Sequence, residues 1–295
     1  MNVGAAPLEH NPFPARLPDL GVHDAYCAGP EGRDGYFAFA DRPEPPDADE
    51  GGVILIGGRP HLGKSVLAHR CLHRHADAGR LPVDLAGRTS DGLPGPAECL
   101  ARMRGVHPLP DEVRAALREV RSADPVEAHD ELGRALDGRR LTVRLPRPDP
   151  NLRPAAIADR VLAYARAAVA ANTGVYLFEY PYWVEDQWTE VTELVERDPD
   201  GPLVTPVVLE PFSDRDLMAF MRARVGGGDA LDALLDLDPK VLLRALGRQR
   251  ASLSPNNLTW FNVLCHQAFA AAIRAGAARV AVHHYLEAAV RVGAP

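Results

Sequence analysis

One short segment constrains the fold of this chain more than any other. An unbroken apolar run, Val53-Ile-Leu-Ile56, precedes Gly58-Arg-Pro-His-Leu-Gly63-Lys64-Ser65, and a helical pattern then extends from Ser65 to His75. A short apolar run bounded by glycines is typical of a strand that is covered on both faces. The segment therefore predicts a strand, a glycine-containing loop and a helix in direct succession, as at the start of an α/β domain.

The loop has the spacing G-x-x-x-x-G-K-[ST] of a P-loop, or Walker A motif. Glycines let the backbone curl so that N–H groups face phosphate oxygens, and the helix that follows adds the positive end of its dipole. Lys64 is one of only two lysines among 295 residues, and its compact ammonium suits the β- and γ-phosphates of a nucleotide. We expect these residues to bind ATP: Gly58, Arg59, Pro60, His61, Leu62, Gly63, Lys64, Ser65 and Val66.

A P-loop also needs an acidic group at the end of another strand. Glu179 follows the apolar run Val175-Tyr-Leu-Phe178, so we expect its carboxylate at the same sheet edge as the loop. The Ser65 hydroxyl and, through water, Glu179 would then hold Mg²⁺, and Glu179 and Lys64 would be the catalytic residues. Because Phe178 and Tyr180 flank Glu179, no second acid stands beside it. Glu179 alone would have to hold Mg²⁺ through water and also orient the attacking water, so we expect ATP hydrolysis to be slow or absent.

The rest of the chain predicts an α/β class. Apolar strands and helical patterns alternate through residues 51–211, which indicates a parallel sheet with helices on both faces, and residues at about 87–140 form a helical insertion. After Pro211-Phe212 the pattern is helical throughout, so residues 212–295 predict a C-terminal helical lid domain. Residues 1–50, rich in Pro, Gly and Asp, predict an extended N-terminal strap.

Charge and cysteine content narrow the class of protein. Residues 1–50 carry ten acids against three arginines, whereas residues 239–295 carry seven basic residues against Glu287 alone. The basic tail can serve bound nucleotide or the acidic arm, or it can dock DNA or an acidic protein. The four cysteines form no CxxC pair, and no membrane-spanning or targeting segment is indicated, so we expect a cytoplasmic protein.

Together with the P-loop and Glu179, two further phrases resemble the AAA+ and STAND ATPases: Val208-Leu-Glu-Pro-Phe-Ser-Asp214, and Ser254-Pro-Asn-Asn-Leu258 with Cys265-His-Gln-Ala268. The second phrase looks like the lid helices of origin-recognition-type members, and Asn11-Pro-Phe13 resembles an N-terminal turn that lies near adenine in some of them. The resemblance implies a nucleotide-dependent conformational switch that can form a homo-oligomer. The chain departs from the family in lacking an Asp-Glu pair at Glu179, a separate polar-ended sensor strand and a lid arginine within Ser254–Leu258.

Two other functions fit the same sequence. A P-loop kinase for a small molecule would use Asp84 or Asp149, each near a predicted strand end, as the base that accepts the substrate proton. Alternatively, nucleotide could be a structural ligand of an adaptor whose basic tail binds DNA or an acidic protein.

Overall fold

The structure is a computed structural model. It describes residues 8–13, 51–60, 62–86, 93–106, 108–149, 151–170, 174–182, 184–225, 228–236 and 258–293. These residues form two compact units. One is an α/β unit that ends at Leu209, and the other is a helical unit that begins at Glu210 and includes residues 8–13. Most of the predicted strap at residues 1–50 lies outside the described residues, and the predicted domain bounds at residues 50 and 211 stay a prediction.

The α/β unit alternates strands and helices in the predicted order. Its elements are β1 (Gly52–Gly58), α1 (Lys64–Asp77), β2 (Leu81–Asp84), α2 (Pro96–Met103), α3 (Asp111–Glu119), α4 (Pro125–Ala135), β3 (Leu141–Arg144), α5 (Pro154–Ala170), β4 (Gly174–Pro181), α6 (Glu185–Arg197), a 3-10 turn (Gly201–Leu203) and β5 (Val204–Val208).

The five strands form one parallel sheet in the order β2-β3-β4-β1-β5. The strand β1 lies inside the sheet, between β4 and β5, and is wholly buried, as its unbroken apolar run predicts. It pairs with β4 on one side, where Ile56 is the register partner of Glu179, and with β5 on the other. This order brings the carboxyl ends of β1, β4 and β3 to one edge of the sheet, beside the start of α1. The predicted α/β class with a parallel sheet is confirmed.

The helices α2, α3 and α4 occupy the region predicted as an insertion. Their apolar residues Cys99, Val113 and Leu132 are fully buried in the same core as the sheet residues and α5. The Asp124 carboxylate caps α4 by accepting from the backbone N–H groups of Val126 and Glu127. The segment is thus an integral layer of the α/β unit.

The helical unit contains α7 (Asp214–Val225), α8 (Gly228–Leu234), α9 (Leu258–Arg274) and α10 (Val282–Gly293). Ser213 and Asp216 form a capping box at α7, since each side chain accepts from the backbone N–H of the other. Residues at the other end of the chain complete this core: the Phe13 ring centroid lies 5.1 Å from that of Phe269, and Asn11 Nδ2 donates to the His266 carbonyl at 2.9 Å.

Among the described residues, none of the helices has the length and apolar character needed to cross a membrane.

Candidate functional site

The predicted P-loop is a turn between the end of β1 and the start of α1. Gly58 has φ 153° and Gly63 has φ 95°, so both are in backbone conformations that favour glycine. Gly63 is the residue before α1, which begins at Lys64, and the first backbone N–H groups of that helix point towards the loop. His61 lies outside the described residues. The loop therefore offers backbone donors and a helix dipole, which together favour an anion.

The ammonium of Lys64 is held inside the curled loop. The side chain is nearly buried, and Nζ donates to the carbonyl oxygens of Gly58 and Arg59 at 2.7 Å each. No carboxylate of the described residues lies within ion-pair distance of it. Burial lowers the pKa of Lys64 to about 8, an effect that Glu179 opposes and Arg147 reinforces. The loop thus contains a buried positive charge that an anion would stabilise.

Glu179 is fully buried and lies beside Ser65. The Ser65 hydroxyl donates to Glu179 Oε2 at 2.7 Å. Arg147 contacts both groups: its Nη2 donates to Ser65 Oγ at 2.5 Å, and its Nε lies 3.4 Å from Glu179 Oε2. A guanidinium therefore contacts both of the oxygen groups that the sequence predicts as Mg²⁺ ligands.

A second guanidinium, that of Arg144, neutralises the other oxygen of Glu179. Arg144 Nε and Nη2 lie 2.7 and 2.5 Å from Glu179 Oε1, and only 4% of the Arg144 side chain is exposed. Burial alone would raise the pKa of Glu179, but Arg144, Arg147 and the Ser65 hydroxyl outweigh it and hold the pKa below its usual value. Glu179 is thus an ionised carboxylate that both arginines pair with.

Arg144 links Glu179 to the end of β2 and to α1. Its Nη1 donates to Asp84 Oδ2 at 3.1 Å and lies 2.6 Å from His69 Nε2. Since arginine only donates, this imidazole nitrogen must accept, which requires a neutral His69 with its proton on Nδ1. Burial and the charge of Arg144 both lower the pKa of His69, which agrees with a neutral imidazole.

The arrangement fits nucleotide phosphates but does not fit Mg²⁺. The backbone donors and the buried Lys64 match a polyphosphate, whereas both Mg²⁺ ligands predicted from the sequence are already engaged by arginine. A divalent cation there would meet two guanidinium charges beside a carboxylate that is already paired. Among the residues that the structure describes, no group of three or more His, Cys, Asp or Glu side chains is placed to hold a metal ion.

Sequence reasoning missed Arg144 and Arg147. A signal was present, because Arg144 ends the strand Leu141–Arg144 and Arg147 follows three residues later. Carboxyl ends of parallel strands meet at one sheet edge, so polar residues after each strand are candidates for the same site. These arginines were not predicted because only an acidic residue was expected at the end of a strand.

Asp84 and Asp149, the two acids considered as the base of a kinase, have different surroundings. Asp84 pairs with Arg144, and its Oδ1 accepts from the backbone N–H of Ala86 at 2.9 Å. Asp149 is exposed and caps a local turn through the backbone N–H of Asn151, also at 2.9 Å. Neither carboxylate contacts Lys64 or Ser65.

Comparisons with known proteins support the fold. No protein-family model matches the sequence, and no curated protein matches it at a significant level. Among solved structures, the Aeropyrum pernix ORC2 protein in its ADPNP and ADP complexes aligns with a TM-score of 0.51 and 15% identity, over 88% of this chain and 72% of that one. The A. pernix ORC1 protein in complex with DNA (TM-score 0.44, 18% identity, 82% and 59% coverage) and Drosophila ORC bound to DNA (0.48, 18%, 83% and 56%) are also similar. The chain has an α/β P-loop fold, followed by a helical part, that is similar to the fold of the A. pernix ORC2 protein.

Proposed function

We propose that this chain binds a nucleoside triphosphate or diphosphate on the loop Gly58–Ser65 and uses it as a conformational ligand, with little or no hydrolysis. One observation carries the proposal: a buried lysine ammonium at the N-terminus of α1 whose hydrogen bonds, among the residues described, go to two loop carbonyls. A desolvated cation in such a place is costly until an anion compensates it. ATP is the expected ligand because the loop has the spacing of a triphosphate-binding motif.

Slow turnover follows from the state of Glu179. A carboxylate that orients or deprotonates an attacking water needs an oxygen free to accept from that water. Both oxygens of Glu179 already accept, one from Arg144 and the other from Ser65, with Arg147 beside it. We therefore expect bound ATP to persist, and the residual turnover to be far below that of an efficient ATPase.

The kinase alternative is less favoured by the same geometry. Asp84 is paired with Arg144, and the helices α2–α4, which would have to close over a phosphate acceptor, are part of the main core. An adaptor that binds DNA or an acidic protein through its basic tail stays an alternative. Adding duplex DNA at graded salt concentrations to nucleotide-loaded protein tests it, because phosphate contacts give binding that weakens steeply with salt.

The proposal is tested by thermal unfolding with and without ATP, and separately ADP. At a hundredfold excess over its Kd, a ligand should stabilise the wild type by about 2.7 kcal/mol. Lys64→Ala removes the charge that faces the phosphates and should lose this stabilisation, whereas Arg118→Ala, on an exposed position of α3, should keep it. Equal stabilisation of wild type and Lys64→Ala would place the nucleotide elsewhere, and none in the wild type would reject the proposal. Phosphate release from the same samples measures turnover.

A further inference from the structure

A positively charged side chain, that of Arg147, lies beside Ser65 and Glu179. The Arg147 guanidinium donates to Ser65 Oγ and lies within ion-pair distance of Glu179 Oε2. These are the two groups that were predicted to hold Mg²⁺, Glu179 through water. An arginine carries five N–H donors in a planar fork that suits phosphate oxygens, and the two contacts named here leave further donors available.

Arg147 differs from Arg144 in how firmly it is held. The Arg147 side chain is 60% exposed and follows the end of β3 in an irregular segment, while that of Arg144 is 4% exposed and bonded to three partners. Arg144 therefore neutralises Glu179 permanently. Arg147 adds a positive charge that exceeds what Glu179 needs, and its side chain is largely open to solvent beside Ser65.

We propose that Arg147 takes the place of the divalent cation and binds the nucleotide phosphates directly, so that this site accepts metal-free nucleoside polyphosphates. The inference rests on the proposed function, since it names the form of nucleotide that the loop Gly58–Ser65 binds. Its physical reason is the charge balance. Lys64, Arg144 and Arg147 face Glu179 and Asp84, while His69 is neutral, so the site is already positive without a metal ion.

The test is calorimetric titration of the full chain with ATP in two buffers, one containing EDTA and the other saturating Mg²⁺. The wild type should bind in EDTA with an affinity within about threefold of that in Mg²⁺. Arg147→Gln removes one charge-assisted contact and should weaken binding in EDTA by roughly ten- to a hundredfold. With the guanidinium gone, Mg²⁺ should restore much of the loss. Arg147→Lys, which keeps the charge, should retain most binding in EDTA.

Arg153→Gln is the matched control, because it removes the same charge from an exposed position six residues along the chain. It should bind like the wild type in both buffers. Thermal unfolding without ligand shows that each variant folds, as expected for substitutions of exposed side chains.

The outcomes separate this inference from the proposed function. If the wild type binds ATP tenfold or more tightly in Mg²⁺ than in EDTA, or if Arg147→Gln matches it in EDTA, Arg147 does not replace the cation although the nucleotide site stands. If no nucleotide binds in either buffer, both the inference and the proposed function fail.

Discussion

Glu179 and Arg144 form a buried ion pair at the edge of the sheet. Glu179 has no exposed side-chain surface, and Arg144 contributes two nitrogens to one of its oxygens while binding Asp84 and His69 with a third. Such a pair stabilises a fold only while both charges are present, because either one alone is a buried charge without a partner. The Glu179 carboxylate is therefore already paired with a side chain of the protein before any ligand binds.

We expect Arg144→Met to destabilise the protein by about 3–5 kcal/mol, since it leaves the buried Glu179 carboxylate without its main partner. Adding Glu179→Gln should recover part of that loss by removing the stranded charge. Scanning calorimetry of the two single variants and the double variant measures the coupling. Strictly additive effects would show that the two side chains do not depend on each other. Glu179→Gln alone is a poor test of catalysis, because it leaves the buried Arg144 guanidinium without the negative charge of Glu179.

Lys64 gives the site a dependence on pH. Burial lowers its pKa to about 8, and a bound polyphosphate would raise that pKa again. The complex then binds more protons than the free protein, so nucleotide binding should take up a proton above pH 8, and the affinity should fall as the pH rises from 8 towards 10. Calorimetry at pH 8.5 in buffers of different ionisation enthalpy measures this uptake. Lys64→Arg, which stays protonated, should show none; equal uptake in that variant would assign the proton to another group.

Individual elements of the α/β unit are fixed by close packing around β1. An added Cβ at Gly57 would lie 2.2 Å from Cζ3 of Trp188, so the indole of α6 packs directly on the strand backbone just before the loop. Tyr182 stacks beside that indole at 5.9 Å between ring centroids. These contacts give the aromatic residues after Glu179 a packing role, and they hold the end of β1 in place.

Gly57→Ala should therefore destabilise the α/β unit by about 1–3 kcal/mol, because Trp188 must move to admit a methyl group. In a Trp188→Ala background the same substitution should cost much less. Urea unfolding of the four proteins of this cycle, followed by far-ultraviolet circular dichroism, measures the difference. An equal cost in both backgrounds would mean that the indole does not oppose Gly57.

The elements could be predicted from the sequence much better than the site. Buried strands such as β1 and helices such as α1 follow from local residue patterns, and the predicted bounds of β1 and α1 differ from the observed ones by no more than two residues. The order of strands in the sheet, in contrast, depends on pairing between segments that are distant in the sequence. Only that order brings Arg144 of β3 beside Glu179 of β4, so the pairing that changes the chemistry of the site could not be deduced from spacing along the chain.

At the scale of the whole molecule, the chain divides into an α/β unit that carries the loop and a helical unit that uses both ends of the sequence. The turn Asn11-Pro-Phe13 was predicted as part of a strap near the nucleotide, and it packs on α7 and α9 through Phe13 and on the His266 backbone through Asn11. If nucleotide acts as a switch, its binding to the loop should alter amide hydrogen exchange in α9 as well as in α1.

On the proposed function, one polyphosphate binds in the loop between β1 and α1, against the ammonium of Lys64. Equilibrium dialysis of the full chain with radiolabelled ATP counts that ligand directly. We predict saturation at about one nucleotide per chain for the wild type and no saturable binding for Lys64→Ala at the same concentrations. A wild type that retains no nucleotide, or a Lys64→Ala variant that retains as much as the wild type, would show that Lys64 and this loop are not the nucleotide site.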